Sequence, residues 1–135
     1  MTAPYREGLG TDSRPGSECD RFGHHIGLRN HSPANGAAVV TLRIDERHLN
    51  GAGIAHGGVL FSALDQAIAI VANALQPGSV LTSGTLHCLR PARQGEDLQV
   101  FVDEVRSGRR ISVYEGRILC EGKLIAMMVG QTVQA

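Results

Sequence analysis

The chain has 135 residues, 42% hydrophobic and 19% charged, which is one domain's length with a soluble balance that excludes global disorder and a second catalytic module. Thirteen basic and thirteen acidic side chains cancel, so overall charge gives no reason to expect a nucleic acid or a membrane surface as partner. Trp is absent and there are only three Phe and two Tyr, which removes base-stacking platforms and aromatic sugar-binding walls.

In chain order, residues 1–20 read as a flexible tail, rich in Gly, Ser, Thr and Pro and without apolar periodicity. Residues 21–135 read as one domain. The first thirty residues hold no apolar core of the signal-peptide kind, and Cys19, Cys88 and Cys120 are too far apart for a CxxC pair or a disulfide framework. Both features predict a cytoplasmic protein. Residues 22–28 form a short apolar-tinged run, read as a strand or an irregular lead-in. Residues 30–36 are dense in turn formers, and residues 37–44 alternate as a strand does.

Residues 59–75 hold thirteen apolar side chains in seventeen positions, follow His56-Gly57-Gly58 and stop at Gln76-Pro77-Gly78. Length and Ala-Leu richness predict a helix, and Pro-Gly ends it. Asp65 and Gln66 near its middle argue against a membrane span, so an almost uniformly apolar helix is expected to be buried nearly all round. Four strands follow, at 80–89, 98–106, 110–119 and 124–133, separated by Gly-containing links around Gly95, Gly108 and Gly122. Short links predict antiparallel hairpins, hence a meander. The expected fold class is α+β, an antiparallel sheet curled around one long helix. Such a sheet has free edges and an incompletely covered helix, so a homodimer at least is expected.

Several motifs are missing. There is no HExxH, no dinucleotide fingerprint, no P-loop and no GxSxG elbow; no metal and no cofactor are expected. His87 and Cys88 are neighbours on a strand and point to opposite faces, so they make no dyad.

What remains is Asn50-Gly51-Ala52-Gly53-Ile54-Ala55-His56-Gly57-Gly58, running into the helix that carries Asp65. Glycines at a helix start leave N–H donors uncovered at the positive end of the dipole, a place for a carbonyl oxygen becoming negative. The same glycines could serve only to fit a loop tightly against the sheet. Asp65, in an apolar helix, is costly unless solvated or paired; it is either catalytic or a hydrogen-bonded contact between subunits. Ser62, Asp65, Gln66 and Asn73 share roughly one helix face. Burial would push the Asp65 pKa up and the helix N-terminus would push it down. Eight residues at 1.5 Å rise put Gly57 and Asp65 about 12 Å apart along the axis, too far to act on one carbonyl. If both are catalytic, Asp65 of one subunit must face Gly57 of another.

With Leu89-Arg90-Pro91-Ala92 and Gly95-Glu96-Asp97 added, residues 22–134 resemble the hotdog-fold acyl-CoA thioesterases, closest to the phenylacetate-pathway branch. The resemblance implies a helix wrapped by a five- or six-stranded antiparallel sheet, and dimers that commonly pair into homotetramers. It implies that Asp65 attacks the thioester or activates water, that the Gly57 amide polarises the thioester carbonyl, and that Asn50 and His56 shape and assist that pocket. A hydroxyl on the strand after the helix, Thr82 with Ser83 beside it, is implied to position water or the carboxylate. This chain departs from the common pattern in Ala63-Leu64-Asp65, where Leu-Ala-Asp is frequent, and in Gly84 within that strand.

Coenzyme A carries phosphates, so a local basic patch is expected. Arg90, Arg93, Arg106, Arg109 and Arg110 lie around two turns, and arginine's planar fork suits phosphate; ordinary solvated turn residues are the other reading. The expected substrate-contacting set is Gly58, Gln66, Ser83, Arg90, Arg93, Arg109 and Arg110. The leading expectation is acyl-CoA hydrolysis to free acid and CoA. The alternative is a non-catalytic acyl-CoA-binding or regulatory module, with a hydratase on the same scaffold ranked last.

Overall fold

The computed structural model describes residues 20–135, so the expected tail lies outside the described residues except for Asp20. The elements are α1 (Arg21–His25), β1 (Arg29–Asn30), β2 (Val40–Arg43), a 3-10 turn (Glu46–His48), α2 (Gly57–Leu75), β3 (Ser79–Cys88), β4 (Asp97–Arg106), β5 (Ile111–Cys120) and β6 (Lys123–Gln134). The strands form one antiparallel sheet in the order β1-β2-β4-β5-β6-β3. This is the expected hotdog arrangement, a long helix against a curled six-stranded sheet.

Two expectations are corrected at element level. The run at 22–28 is neither strand nor irregular: it is α1 and its exit turn. Asp20 caps the helix by accepting from the Gly23 N–H, and Gly27 turns the chain out with φ of 83°, so local capping outweighs strand propensity. The meander fails at its first link. β3 is not beside β4 but pairs with β6 at the far edge. The connection through residues 89–96 is no tight turn; Leu89 and Arg90 N–H groups both donate to the Ile125 carbonyl, and the chain crosses to the other side of the sheet.

The last two hairpins are as expected. Lys123 pairs with Cys120, and the two residues between have φ of 48° (Glu121) and 77° (Gly122), the handedness that matches strand twist.

α2 seats Leu60, Ala63, Leu64, Ala67, Ile68, Ile70 and Ala72 in the core. The sheet lets it come close because two positions lack side chains. A Cβ at Gly116 would lie 2.7 Å from Leu64 Cδ2, and one at Gly130 would lie 2.8 Å from Leu81 Cδ1 and 3.0 Å from Ile68 Cδ1. Burial of α2 nearly all round is not met within one protomer. Val59, Phe61 and Val71 are only partly buried and Leu75 is 54% exposed, because one sheet covers one side of a helix.

Candidate active site

The loop before α2 is closed by one backbone bond within itself and held by two to other parts of the chain. The Asn50 N–H donates to the Ile54 carbonyl, the Ala55 N–H to the Ala92 carbonyl, and the His56 N–H to the His48 carbonyl. Asn50 folds this loop from within, its side-chain oxygen accepting from the N–H groups of Ala52 at 2.9 Å and Ile54 at 3.3 Å. Buried Ala92 shows what the Leu89-Arg90-Pro91-Ala92 segment does here: its backbone braces the loop.

His48 is a keystone that the sequence reading passed over. It is 2% exposed. Its Nδ1 accepts from the Asp45 N–H at 2.8 Å, which leaves Nε2 to donate to the Ile26 carbonyl at 2.6 Å. One buried ring thus ties α1, the 3-10 turn and, through its own carbonyl, the start of α2. The capping pattern Asp45-Glu46-Arg47-His48 was its only sequence signal.

His56 caps α2. Its backbone is extended (φ −63°, ψ 138°), and its Nδ1 accepts from the Gly58 N–H at 2.8 Å. Its carbonyl accepts from Val59 and Leu60 at 3.0 and 3.3 Å. Of the first four amides of α2, this leaves Gly57 N–H without an acceptor among the described residues. A Cβ at Gly57 would meet nothing within 4 Å. A bare donor at the positive end of a nineteen-residue helix suits an oxygen that gains negative charge.

Asp65 sits two turns on, half-buried, and no hydrogen bond reaches its carboxylate from any described residue. Its pKa is raised, first by burial and second by the negative charge of Asp20; the upward influences win. Gln66 is half-buried next to it. Ser62 and Asn73 do not join a polar stripe with Asp65. The Ser62 hydroxyl bonds back to the Gly58 carbonyl at 2.7 Å. Asn73 clamps the helix end instead, donating to the carbonyls of Ala69 and Ser79 and accepting from the N–H groups of Gly78 and Ser79.

Thr82 falls on a β-bulge, where the register slips between Leu81 and Ser83. Its hydroxyl exchanges hydrogen bonds with Gln131, both at 3.3 Å, and both Thr82 and Ser83 are exposed on the edge strand. Gly84 continues the ladder opposite Gly130, so the irregularity lies two residues earlier than the glycine suggests. The arginines do not form one patch in a protomer. Arg90 and Arg93 precede β4 while Arg109 and Arg110 follow it, and ten strand residues at about 3.3 Å each separate the pairs by about 30 Å. Among the described residues no cluster of His, Cys, Asp and Glu could hold a metal.

Comparison with known proteins gives the family. The family model of the thioesterase superfamily matches residues 52–126, more than half of the chain. The chain belongs to the thioesterase superfamily. The acyl-coenzyme A thioesterase PaaI of Escherichia coli K12 is 31% identical over 116 residues, covering 85% of this chain and 83% of that protein. A mutant of the phenylacetic acid degradation protein PaaI from Thermus thermophilus superposes with a TM-score of 0.80 at 33% identity, covering 86% of this chain and all of that one. A hypothetical thioesterase protein of Streptococcus pneumoniae TIGR4, solved with coenzyme A, gives a TM-score of 0.66 at 25% identity over 72% of this chain and 80% of that chain. This thioesterase therefore sits with the phenylacetate-type branch that its motifs resemble.

Proposed function

We propose that this thioesterase hydrolyses acyl-CoA to a free acid and CoA at sites shared between two subunits. The observation that carries the reading is the pairing of an acceptor-free Gly57 N–H with a hydrogen-bond-free, half-buried Asp65 on the same helix, about 12 Å apart by helical rise. One chain's pair is too far apart to serve one carbonyl. Two antiparallel copies of α2 bring Gly57 of one chain to Asp65 of the partner subunit, twice per dimer.

In this reading the thioester oxygen accepts from Gly57 N–H. Ionised Asp65 of the partner subunit either adds to the carbonyl carbon or takes a proton from the water that does. The C–O bond forms, charge collects on the carbonyl oxygen, and its collapse breaks the C–S bond and expels CoA as thiolate; where Asp65 itself adds, the acyl group is left on its carboxylate as a mixed anhydride, which water then hydrolyses to release the free acid and restore Asp65. His56 and Asn50 hold the Gly57 donor in place. The edge strand β3, with Thr82 and Ser83, is where the second chain joins. Arg90 and Arg93, or Arg109 and Arg110, take the CoA phosphates, with Gly58 and Gln66 lining the acyl path. A homotetramer built from two such dimers keeps all sites.

Subunit complementation tests the arrangement. Gly57→Pro removes the bare N–H at the first helical position, which tolerates proline, and the extended His56 already suits a following proline. Release of CoA thiol is expected to fall about 10²- to 10³-fold. Asp65→Asn is expected to be at least as inactive. Unfolding and refolding the two variants together should restore about a quarter of wild-type activity by random pairing, because each mixed dimer holds one intact site. No recovery places both groups in one chain and overturns the shared site; saturable acyl-CoA binding without thiol release from the wild type overturns hydrolysis.

A further inference from the structure

We propose that His48 is a positioning residue for the Gly57 donor: its buried ring fixes the backbone post that holds His56, and through His56 it sets where the Gly57 N–H stands during turnover. The proposal rests on the reading of Gly57 N–H as the group that meets the thioester oxygen. The first turn of α2 cannot seat itself by packing. Gly57 and Gly58 have no side chains, and the first buried side chain of the helix is that of Leu60. The turn is therefore placed by His56, whose peptide with Gly57 carries the donor.

The bonds of His56 run two ways. Its carbonyl accepts from Val59 and Leu60 and its Nδ1 from Gly58, all within α2. Among the described residues, its one hydrogen bond to the rest of the molecule is from its own N–H to the His48 carbonyl, at 2.8 Å. That bond closes the base of the loop 49–55. The tip of the loop gives no support, since Gly51, Ala52 and Gly53 are exposed and a Cβ at Gly51 or Gly53 would meet nothing within 4 Å.

A carbonyl is a firm post only if its own residue cannot shift. The His48 side chain is 1% exposed, and both ring nitrogens are committed. Nδ1 accepts from the Asp45 N–H at 2.8 Å. The Asp45 Oδ1, 3.3 Å from the same nitrogen, is engaged by the Arg47 N–H at 3.0 Å. Nε2 faces the Ile26 carbonyl at 2.6 Å, which can only accept, so Nε2 donates. Turning the ring would strand both partners, and an apolar side chain of the same size would leave them unpaired. His48 thus refers the start of α2 to the exit of α1 and to the 3-10 turn. A donor displaced by about 1 Å costs a reaction about 10²-fold, so this reference acts on rate as well as on folding.

The test is kcat and KM for acyl-CoA hydrolysis in His48→Asn and His48→Gln. Asn keeps an acceptor near the place of Nδ1, Gln keeps a donor near that of Nε2, and each gives up the other tie. Both are expected to lower kcat per folded chain about 10- to 100-fold with KM nearly unchanged. Placed on Gly57→Pro, the same changes are expected to lower kcat by no more than about twofold further, because the donor they position is already gone. Wild-type kcat in a folded variant, or the full loss repeated in Gly57→Pro, shows a merely structural ring and overturns the proposal. If neither variant folds, amide exchange in the wild type decides. The His56 and Asp45 amides are expected to show similar protection, opening together, and a His56 amide that exchanges freely while Asp45 stays protected overturns the proposal. Wild-type turnover in Gly57→Pro alone is a different failure: the reading of Gly57 falls and this proposal with it, a result that the His48 variants by themselves cannot produce.

Discussion

Burying Asp65 works against its ionised form, and the reaction needs that form. Its pKa is raised in the folded chain, so the unfolded chain ionises more readily. The neutral group therefore favours the fold fully below the ordinary carboxylate range, and this contribution is lost as pH rises through the raised value. Asp65→Asn is expected to melt higher than the wild type at neutral pH, with the gap closing in acid below the ordinary carboxylate range. Parallel thermal melts across that window check it. For turnover, the acid limb of kcat/KM is expected above the ordinary carboxylate range, since only ionised Asp65 works. Glu121 is strained in the opposite sense, with no function attached. It is the only non-glycine with positive φ among the described residues, in a two-residue turn whose handedness favours Asn-Gly. Glu121→Asn is expected to raise stability by about 0.5–1 kcal/mol, measured by urea denaturation.

At the scale of elements, the loop before α2 and the β4–β5 hairpin show how much rests on small groups. A Cβ at Gly108 would overlap the Ile111 carbonyl oxygen, a backbone atom that cannot step aside. Gly108 also accepts from Gln76 Nε2 at 2.9 Å, tying the hairpin to the end of α2. Gly108→Ala is expected to cost about 1–3 kcal/mol by urea denaturation. Gly57 is the reverse case, with open space where a Cβ would stand; what matters there is an N–H, and a change at that position should touch rate far more than stability. The arginine turns also change meaning at this scale. Neighbouring links in sequence led to the expectation of one basic patch, but a ten-residue strand stands between the two pairs.

For the whole molecule, the asymmetry of the sheet edges matters most. One edge is β1, two residues long; the other is β3, ten residues long. A long open edge invites pairing, and the half-covered flank of α2 lies on the same protomer. Sedimentation is expected to give a dimer or a multiple of it, and activity per chain is expected to fall on dilution in step with dissociation. Full activity from a monomer would contradict the shared site.

Read alone, the sequence determined the long helix, which runs Gly57–Leu75 against an expected 59–75, and the last four strands to within about a residue. It did so because those signals are local: apolar density, a Pro-Gly stop and Gly-containing turns. It also marked His56, Gly57 and Asp65 by residue type and spacing. It did not contain the pairing of β3 with β6, since a link of this length fits either a loose hairpin or a crossing. Nor did it show the hidden part of His48, whose ties reach residues far along the chain. Those are meetings between distant segments, decided only when packing of the helix on the sheet fixes which of many possible neighbours are brought together.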